Sequence, residues 1–178
     1  LIAPKFVIPY RLSGKRGKND AADAAAICEA AQRPSMRFVP IKNVEQQGQM
    51  CLHRVRQGFV EQRTALINRI RGLLSEFGIV LALKAATVRR EALLHLEDLP
   101  GWANLAVGDC LSEVSRLDER IRDYDRHLAQ LARQNESARR LMQLSGIGET
   151  TATALIAAIG NGHDFQCGRQ FAAWLGLT

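Results

Sequence analysis

LSEVSRLDERIRDYDRHLAQL, residues 111–131, decides the fold class. Val114, Leu117, Ile121, Tyr124, Leu128 and Leu131 recur at alternating spacings of three and four, and charged residues fill the positions between them. On a helix this spacing gathers the apolar side chains into one stripe, the seam that a coiled coil buries. The pattern extends the helix over residues 108–134. Upstream, residues 43–77 contain no proline and repeat the pattern less cleanly. There the apolar positions are Leu52, Val55, Phe59, Leu66, Ile70, Leu73 and Phe77, interrupted where Gln62 and Arg63 fall on the seam. Two long amphipathic helices separated by a shorter helical stretch predict an antiparallel hairpin or a dimerisation arm. An ordinary helical bundle satisfies the same periodicity.

Downstream, SARRLMQL (137–144) reads as helix, Gly146-Ile147-Gly148 as a tight turn, and TTATALIAAIG (150–160) as helix again. A last helix, roughly Gly168 to Leu175, follows the loop NGHDFQC. Leu141, Leu144, Gly146, Ile147, Gly148, Ala152, Leu155 and Ile156 together form the pattern of a helix-hairpin-helix DNA-binding unit. Its glycines let the chain turn sharply and leave backbone N–H groups at the next helix N-terminus, where a phosphate can sit. Contacts of that kind hold a duplex without reading its sequence. The competing reading is a plain helical hairpin, since Arg139 and Arg140 are the only cations near the turn.

Toward the N-terminus, LIAPKFVIPY (1–10) reads as a short strand broken by Pro4 and Pro9, followed by the basic link RLSGKRGK. A helix is expected from Asn19 to about Ala31, ended by Arg33-Pro34, with MRFVPI as one more short extended segment. Asp20 and Asp23 lie three residues apart on that helix and share a face. Two carboxylates so placed can hold magnesium through hard oxygen ligands, the chemistry of two-metal nucleases and polynucleotidyl transferases. Helix capping is the alternative, with Asn19 or Asp20 as N-cap and Asp23 favouring the positive helix end.

The composition frames these motifs. The 178 residues are 47% hydrophobic and 24% charged, a globular balance that argues against wholesale disorder. The net charge is +6 and the isoelectric point about 9.5, which leans toward a polyanionic partner. The basic surplus lies entirely within the first 97 residues. Lys15, Arg16 and Lys18, with Arg54, Arg56, Arg63, Arg69 and Arg71, are the candidate phosphate contacts; the alternative is a solvated helix face. No apolar run approaches the roughly 18–20 residues of a membrane helix. Cys28, Cys51, Cys110 and Cys167 are far apart, which excludes a zinc ribbon or disulfide scaffold and points to a reducing cytoplasm. The four histidines show no metal-ligand spacing, and no serine lies in a recognisable nucleophile motif. Residue 1 is Leu, the first Met is Met36, and the sequence stops directly after FAAWLGL, so an internal piece of a longer protein is expected.

KNDAADAAAICEA, MRFVPIK, QRTALINRIRGLLSEFGI, LMQLSGIGETTATALIAAIG and GRQFAAWLGL together resemble the DEDD-type insertion-sequence transposases that use a bridge RNA. The resemblance runs in one order through nearly the whole chain. It implies an RNase H-like (RuvC-like) domain with four magnesium-binding acidic residues, then a coiled-coil region. A C-terminal transposase domain follows, with a helix-hairpin-helix-like segment and a nucleophilic serine. The last two acidic residues of that set match Asp20 and Asp23, which become catalytic metal ligands. The implied organisation is mainly α. Residues 1–42 end the RNase H-like α/β domain, residues 43–134 form long antiparallel coiled-coil helices, and residues 135–178 begin the C-terminal domain. Implied partners are DNA, a structured guide RNA and further copies of the chain through the coiled coil, in a bacterial cytoplasm and with no membrane. Arg56 and Arg63 would contact RNA or DNA, and Gly146 and Gly148 would shape a DNA-facing turn. The first two acidic residues and the serine motif of the family have no counterpart here, so the 178 residues by themselves are expected to be catalytically inactive. Two other classes fit the motifs: a non-enzymatic helix-hairpin-helix DNA-binding module with a dimerising coiled coil, and a helical scaffold with no nucleic-acid role.

Overall fold

Proline presets a φ of about −65° and suits the first turn of a helix, where its missing N–H costs nothing. In the computed structural model, Pro4 and Pro9 accordingly open helical turns: α1 (Pro4–Val7) and a 3-10 turn (Ile8–Tyr10). The model describes residues 1–11, 19–36, 38, 41–82, 84–160, 162–163 and 165–177. The strand expected over residues 1–10 is therefore corrected to helical turns. What remains of extended pairing is a single antiparallel bridge between Ile2 and Phe38, the one described residue within Arg37–Pro40. Among the described residues of 1–42, the expected α/β character goes no further than this bridge.

Helix α2 (Asp20–Ala31) begins where Asn19, with extended backbone, accepts the Ala22 N–H on its side-chain Oδ1 at 2.7 Å. Its buried positions are Ala26 and Ala30, a small-residue face, and it packs with α1 and the 3-10 turn. These elements make one compact unit, Leu1–Asn43; a second runs from Val44 to Thr178.

The second unit is built on the two long helices, α3 (Val44–Glu76) and α5 (Gly101–Gln134), with α4 (Ala85–Leu94) between them in sequence. Arg56 meets Asp125 and Arg63 meets Asp118, so the partner number falls as the α3 number rises, and the helices are antiparallel. Of the six expected seam positions of α5, Val114, Leu117, Ile121 and Leu128 are buried, whereas Tyr124 and Leu131 are half-buried and Ala132 is buried beside Leu131. On α3 the register differs. Ile67, Ile70 and Leu74 are buried, Leu66 and Leu73 only partly, and Val55 and Phe77 are exposed. Leu66-Ile67 and Leu73-Leu74 are apolar doublets, so periodicity fits either member and packing against α5 selects the second. Val88 and Ala92 of α4, with Leu81 and Leu99, close the core at this end. Each fully buried Leu, Ile or Val contributes roughly 1.5–3 kcal/mol of transfer free energy, which fixes the hairpin as the stable element.

Asn135 breaks α5 and caps α6 (Glu136–Leu141), its Oδ1 accepting the Ala138 N–H at 3.0 Å. α7 (Glu149–Ile159) returns beside α6, and Ala132, Ala138 and Ala152 form a tight core with Leu141, Met142, Ile147 and Ile156. α7 also lies against α3 and α5, burying Ala152, Thr153 and Ala157. Thr153 satisfies its hydroxyl by donating to Glu149 O at 2.8 Å. α8 (Gly168–Trp174) ends in a ring cluster of Phe165, Phe171 and Trp174. The described residues form no sheet strand, and the fold is mainly α. No helix among them is long and apolar enough to cross a membrane.

Candidate metal and nucleic-acid sites

Asn19 is the N-cap of α2, so the capping alternative is satisfied by Asn19, and Asp20 and Asp23 follow it on the first turn. The positive end of the helix stabilises both carboxylates there. Asp20 is exposed, and Asp23 is half-buried. Arg11, which follows the 3-10 turn, brings Nη2 to 2.8 Å from Asp23 Oδ1. That oxygen is shielded from solvent and meets the guanidinium as a charge contact, without a well-aligned hydrogen bond.

Among the described residues no three His, Cys, Asp or Glu side chains come together as a metal cage. Magnesium asks for less than a full protein cage, since one or two carboxylates with substrate phosphates and water complete its shell. Asp20 and Asp23 fit that partial donor set in type and number. Lys15, Arg16 and Lys18 lie outside the described residues.

The structure gives Arg56 and Arg63 carboxylate partners inside the hairpin. Arg56 Nε donates to Asp125 Oδ1 at 2.5 Å. Arg63 Nη1 donates to Asp118 Oδ1 at 3.0 Å, and Arg89 of α4 reaches Asp118 Oδ2. Asp118 is 9% exposed, the most buried charged group among the described residues. Sequence reasoning missed it. The available signal was Arg63 breaking the apolar repeat of α3 while Asp118 sat beside Leu117 on α5. Of the remaining α3 arginines, Arg54 and Arg69 are exposed, and Arg71 is half-buried with an Nε that has no hydrogen-bond partner. His53 Nε2 is likewise buried without a partner, and burial, then the neighbouring Arg56 charge, lower its pKa below 6.5.

The turn between α6 and α7 places Gly146 at φ +88°, a left-handed conformation that glycine adopts without strain. The Ile147 N–H closes on Leu144 O at 3.1 Å, and Ile147 packs into the alanine core. Gly148, extended, is the N-cap of α7, whose first turn has no side-chain cap. Both glycines are exposed, with open space where a Cβ would point. The start of α7 thus lacks a side-chain cap and has open space beside both glycines, a helix N-terminus of the kind that can accept an anion. Arg139 and Arg140 are exposed on the last turn of α6.

Comparison with known proteins gives two family matches. Residues 138–178 match the model described as Transposase IS116/IS110/IS902 family, and residues 5–79 match a DEDD transposase model of the IS110 type, described as Transposase. The chain is 44% identical over 183 residues to a probable family 20 transposase of Pseudomonas aeruginosa, covering all of this chain and 53% of the relative. It is 42% identical over 189 residues to the transposase for insertion sequence element IS1111A of Coxiella burnetii, covering 100% of this chain and 49% of that protein. The transposase for insertion sequence element IS1328 of Yersinia enterocolitica is 37% identical over 179 residues, with 100% of this chain and 53% of that protein covered. The chain thus spans about half the length of the curated relatives it matches. No solved structure matches it significantly.

Proposed function

We propose, from the premise that the chain carries IS110-family transposase domains, that it works within a transposase that cuts and rejoins the DNA of an insertion element. The observation that carries the reading is the first turn of α2. Asn19 takes the cap, and two carboxylates remain there inside the segment that matches the DEDD model. Asp20 and Asp23 would hold magnesium together with substrate phosphates and with ligands supplied elsewhere in the complete transposase. When bound, that ion would stabilise charge on the oxygens of the phosphodiester being exchanged. Asp20 and Asp23 supply the hard oxygens, placed on the first turn of α2.

The Gly146–Gly148 turn would seat a DNA phosphate at the start of α7, and Lys15, Arg16 and Lys18 would add phosphate contacts on DNA or on a structured guide RNA. Residues 1–42 read here as the end of an RNase H-like domain and residues 135–178 as the start of the C-terminal transposase domain. The hairpin seam is closed within one chain, so a homo-oligomer would use the outer faces of the hairpin. The setting is the bacterial cytoplasm, where the DNA is, and the 178 residues alone are proposed to be inactive.

The test uses a complete transposase that contains this sequence. Asp20→Asn and Asp23→Asn should each reduce excision to background while guide-RNA binding stays unchanged. Excision that survives both substitutions refutes the metal-ligand assignment. DNA binding without cleavage in the unsubstituted complete protein favours the non-enzymatic binding module.

A further inference from the structure

We infer that Arg11 is the resident counter-ion of Asp23, and that a divalent cation reaching the acidic pair must displace it. The inference rests on the metal-ligand reading of Asp20 and Asp23, and goes beyond it by naming what the cation competes with. Its support is geometric. Arg11 is presented by a packed turn: its N–H closes on Ile8 O at 3.1 Å, and the 3-10 turn before it packs on α2. The Arg33 guanidinium lies 5.4 Å from the centre of the Tyr10 ring, a second tie between this turn and the end of α2. From there Arg11 Nη2 stands 2.8 Å from Asp23 Oδ1, the oxygen shielded from water.

Two like carboxylates on one helical turn repel each other, and the guanidinium relieves that repulsion in the cation-free chain. A magnesium or manganese ion seeks the same oxygen and carries twice the charge. The two cations cannot share it without mutual repulsion, so entry of one moves the other.

The probe is Mn2+, with free ion counted by electron paramagnetic resonance during titration of a complete transposase that contains this sequence, at low salt. Arg11→Gln should bind Mn2+ about two- to fivefold more tightly than the unsubstituted chain, the range expected for removing a half-exposed ion pair. Arg11→Lys should stay close to the unsubstituted value. Asp23→Asn should weaken binding and remove most of the gain when combined with Arg11→Gln. Arg11→Met, which keeps the aliphatic stem, repeats the comparison should Arg11→Gln lose helical circular dichroism. If Asp23→Asn weakens binding while neither Arg11→Gln nor Arg11→Met tightens it, the counter-ion role is overturned and the metal reading stands. If neither Asp20→Asn nor Asp23→Asn alters Mn2+ binding, the metal reading fails and takes this inference with it.

Discussion

Arg63 on α3 reaches across the long hairpin to Asp118 on α5, at 3.0 Å, where the apolar repeat of α3 is broken. Arg89 from α4 joins the same carboxylate, and Arg122 Nε donates to the Asp118 backbone oxygen at 3.2 Å. Three helices thus converge on one 9% exposed carboxylate. Apolar seams tolerate sliding by a turn, because one leucine replaces another; a buried charge with two partners does not. Asp118 thus ties α3 and α4 to α5 at this level of the hairpin.

Asp118→Asn should therefore destabilise the chain by about 2–4 kcal/mol. That is somewhat less than for a fully buried pair, because Arg63 and Arg89 keep part of their surface in water. Urea midpoints at constant slope measure it. The triple substitution Asp118→Leu, Arg63→Met and Arg89→Met should recover most of the loss, since replacing the whole ionic cluster leaves no charge unpaired. A single substitution that costs under about 0.5 kcal/mol would show that Asp118 behaves as an ordinary surface residue.

Much of this arrangement was legible in the residues, and the exceptions have physical causes. The seam of α5 could be read at Val114, Leu117, Ile121 and Leu128 because polar, charged or small residues flank each of them; beside Leu131, Ala132 takes the buried place. On α3 the doublets left two registers open, and only the partner helix decides between them. The strand reading of LIAPKFVIPY failed because Pro4 and Pro9 fall where a helical turn accepts them and a ladder does not. Asp20 and Asp23 were visible as a spacing. Their neighbour Arg11 was not, since it stands nine positions before Asp20, outside the helical spacing that pairs the two aspartates. Arg56 and Arg63 read as phosphate contacts because a lone sequence does not reveal that Asp125 and Asp118 stand opposite them.

The two glycines of the α6–α7 turn should behave differently. Gly146→Ala forces a side chain into φ +88° and should cost about 1–2 kcal/mol even though the space around it is open. Gly148→Ala sits at φ −93° with nothing near its Cβ, and should leave stability within about 0.5 kcal/mol. Thermal melts compare the two. If this turn seats a phosphate, Gly148→Ala should weaken DNA binding at nearly unchanged melting temperature, because the added methyl stands at the uncapped N-terminus of α7. Equal destabilisation by both substitutions would contradict the backbone assignment.

His53 predicts an acid-side loss of stability. Its folded pKa lies below 6.5, lowered first by burial and then by Arg56. Well above pH 6.5 the ring is neutral in both folded and unfolded chains and adds no pH dependence. Below that value the unfolded chain takes up the proton more readily, so stability falls with pH until the folded pKa is passed. Denaturant midpoints at about pH 7.5 and about pH 5 should differ less in His53→Gln than in the unsubstituted chain. An unchanged difference would mean that other groups carry the acid sensitivity.

Salt dependence separates arginines already committed to carboxylates from cations available to nucleic acid. Each phosphate contact made by Lys or Arg releases counterions and steepens the fall of log K with log salt by about 0.9 on duplex DNA, or about 0.7 on single strands. Replacing Lys15, Arg16 and Lys18 together with Gln should flatten the slope by about two to three units if all three meet phosphates. Arg56→Gln should leave the slope unchanged, because its guanidinium already donates to Asp125, and should instead lower the stability of the hairpin. Fluorescence anisotropy of a labelled duplex, titrated across a salt series, reads both effects at once. A slope that flattens for Arg56→Gln and stays put for the triple variant would reverse the assignment: the hairpin, rather than the N-terminal link, would be the electrostatic face of the protein.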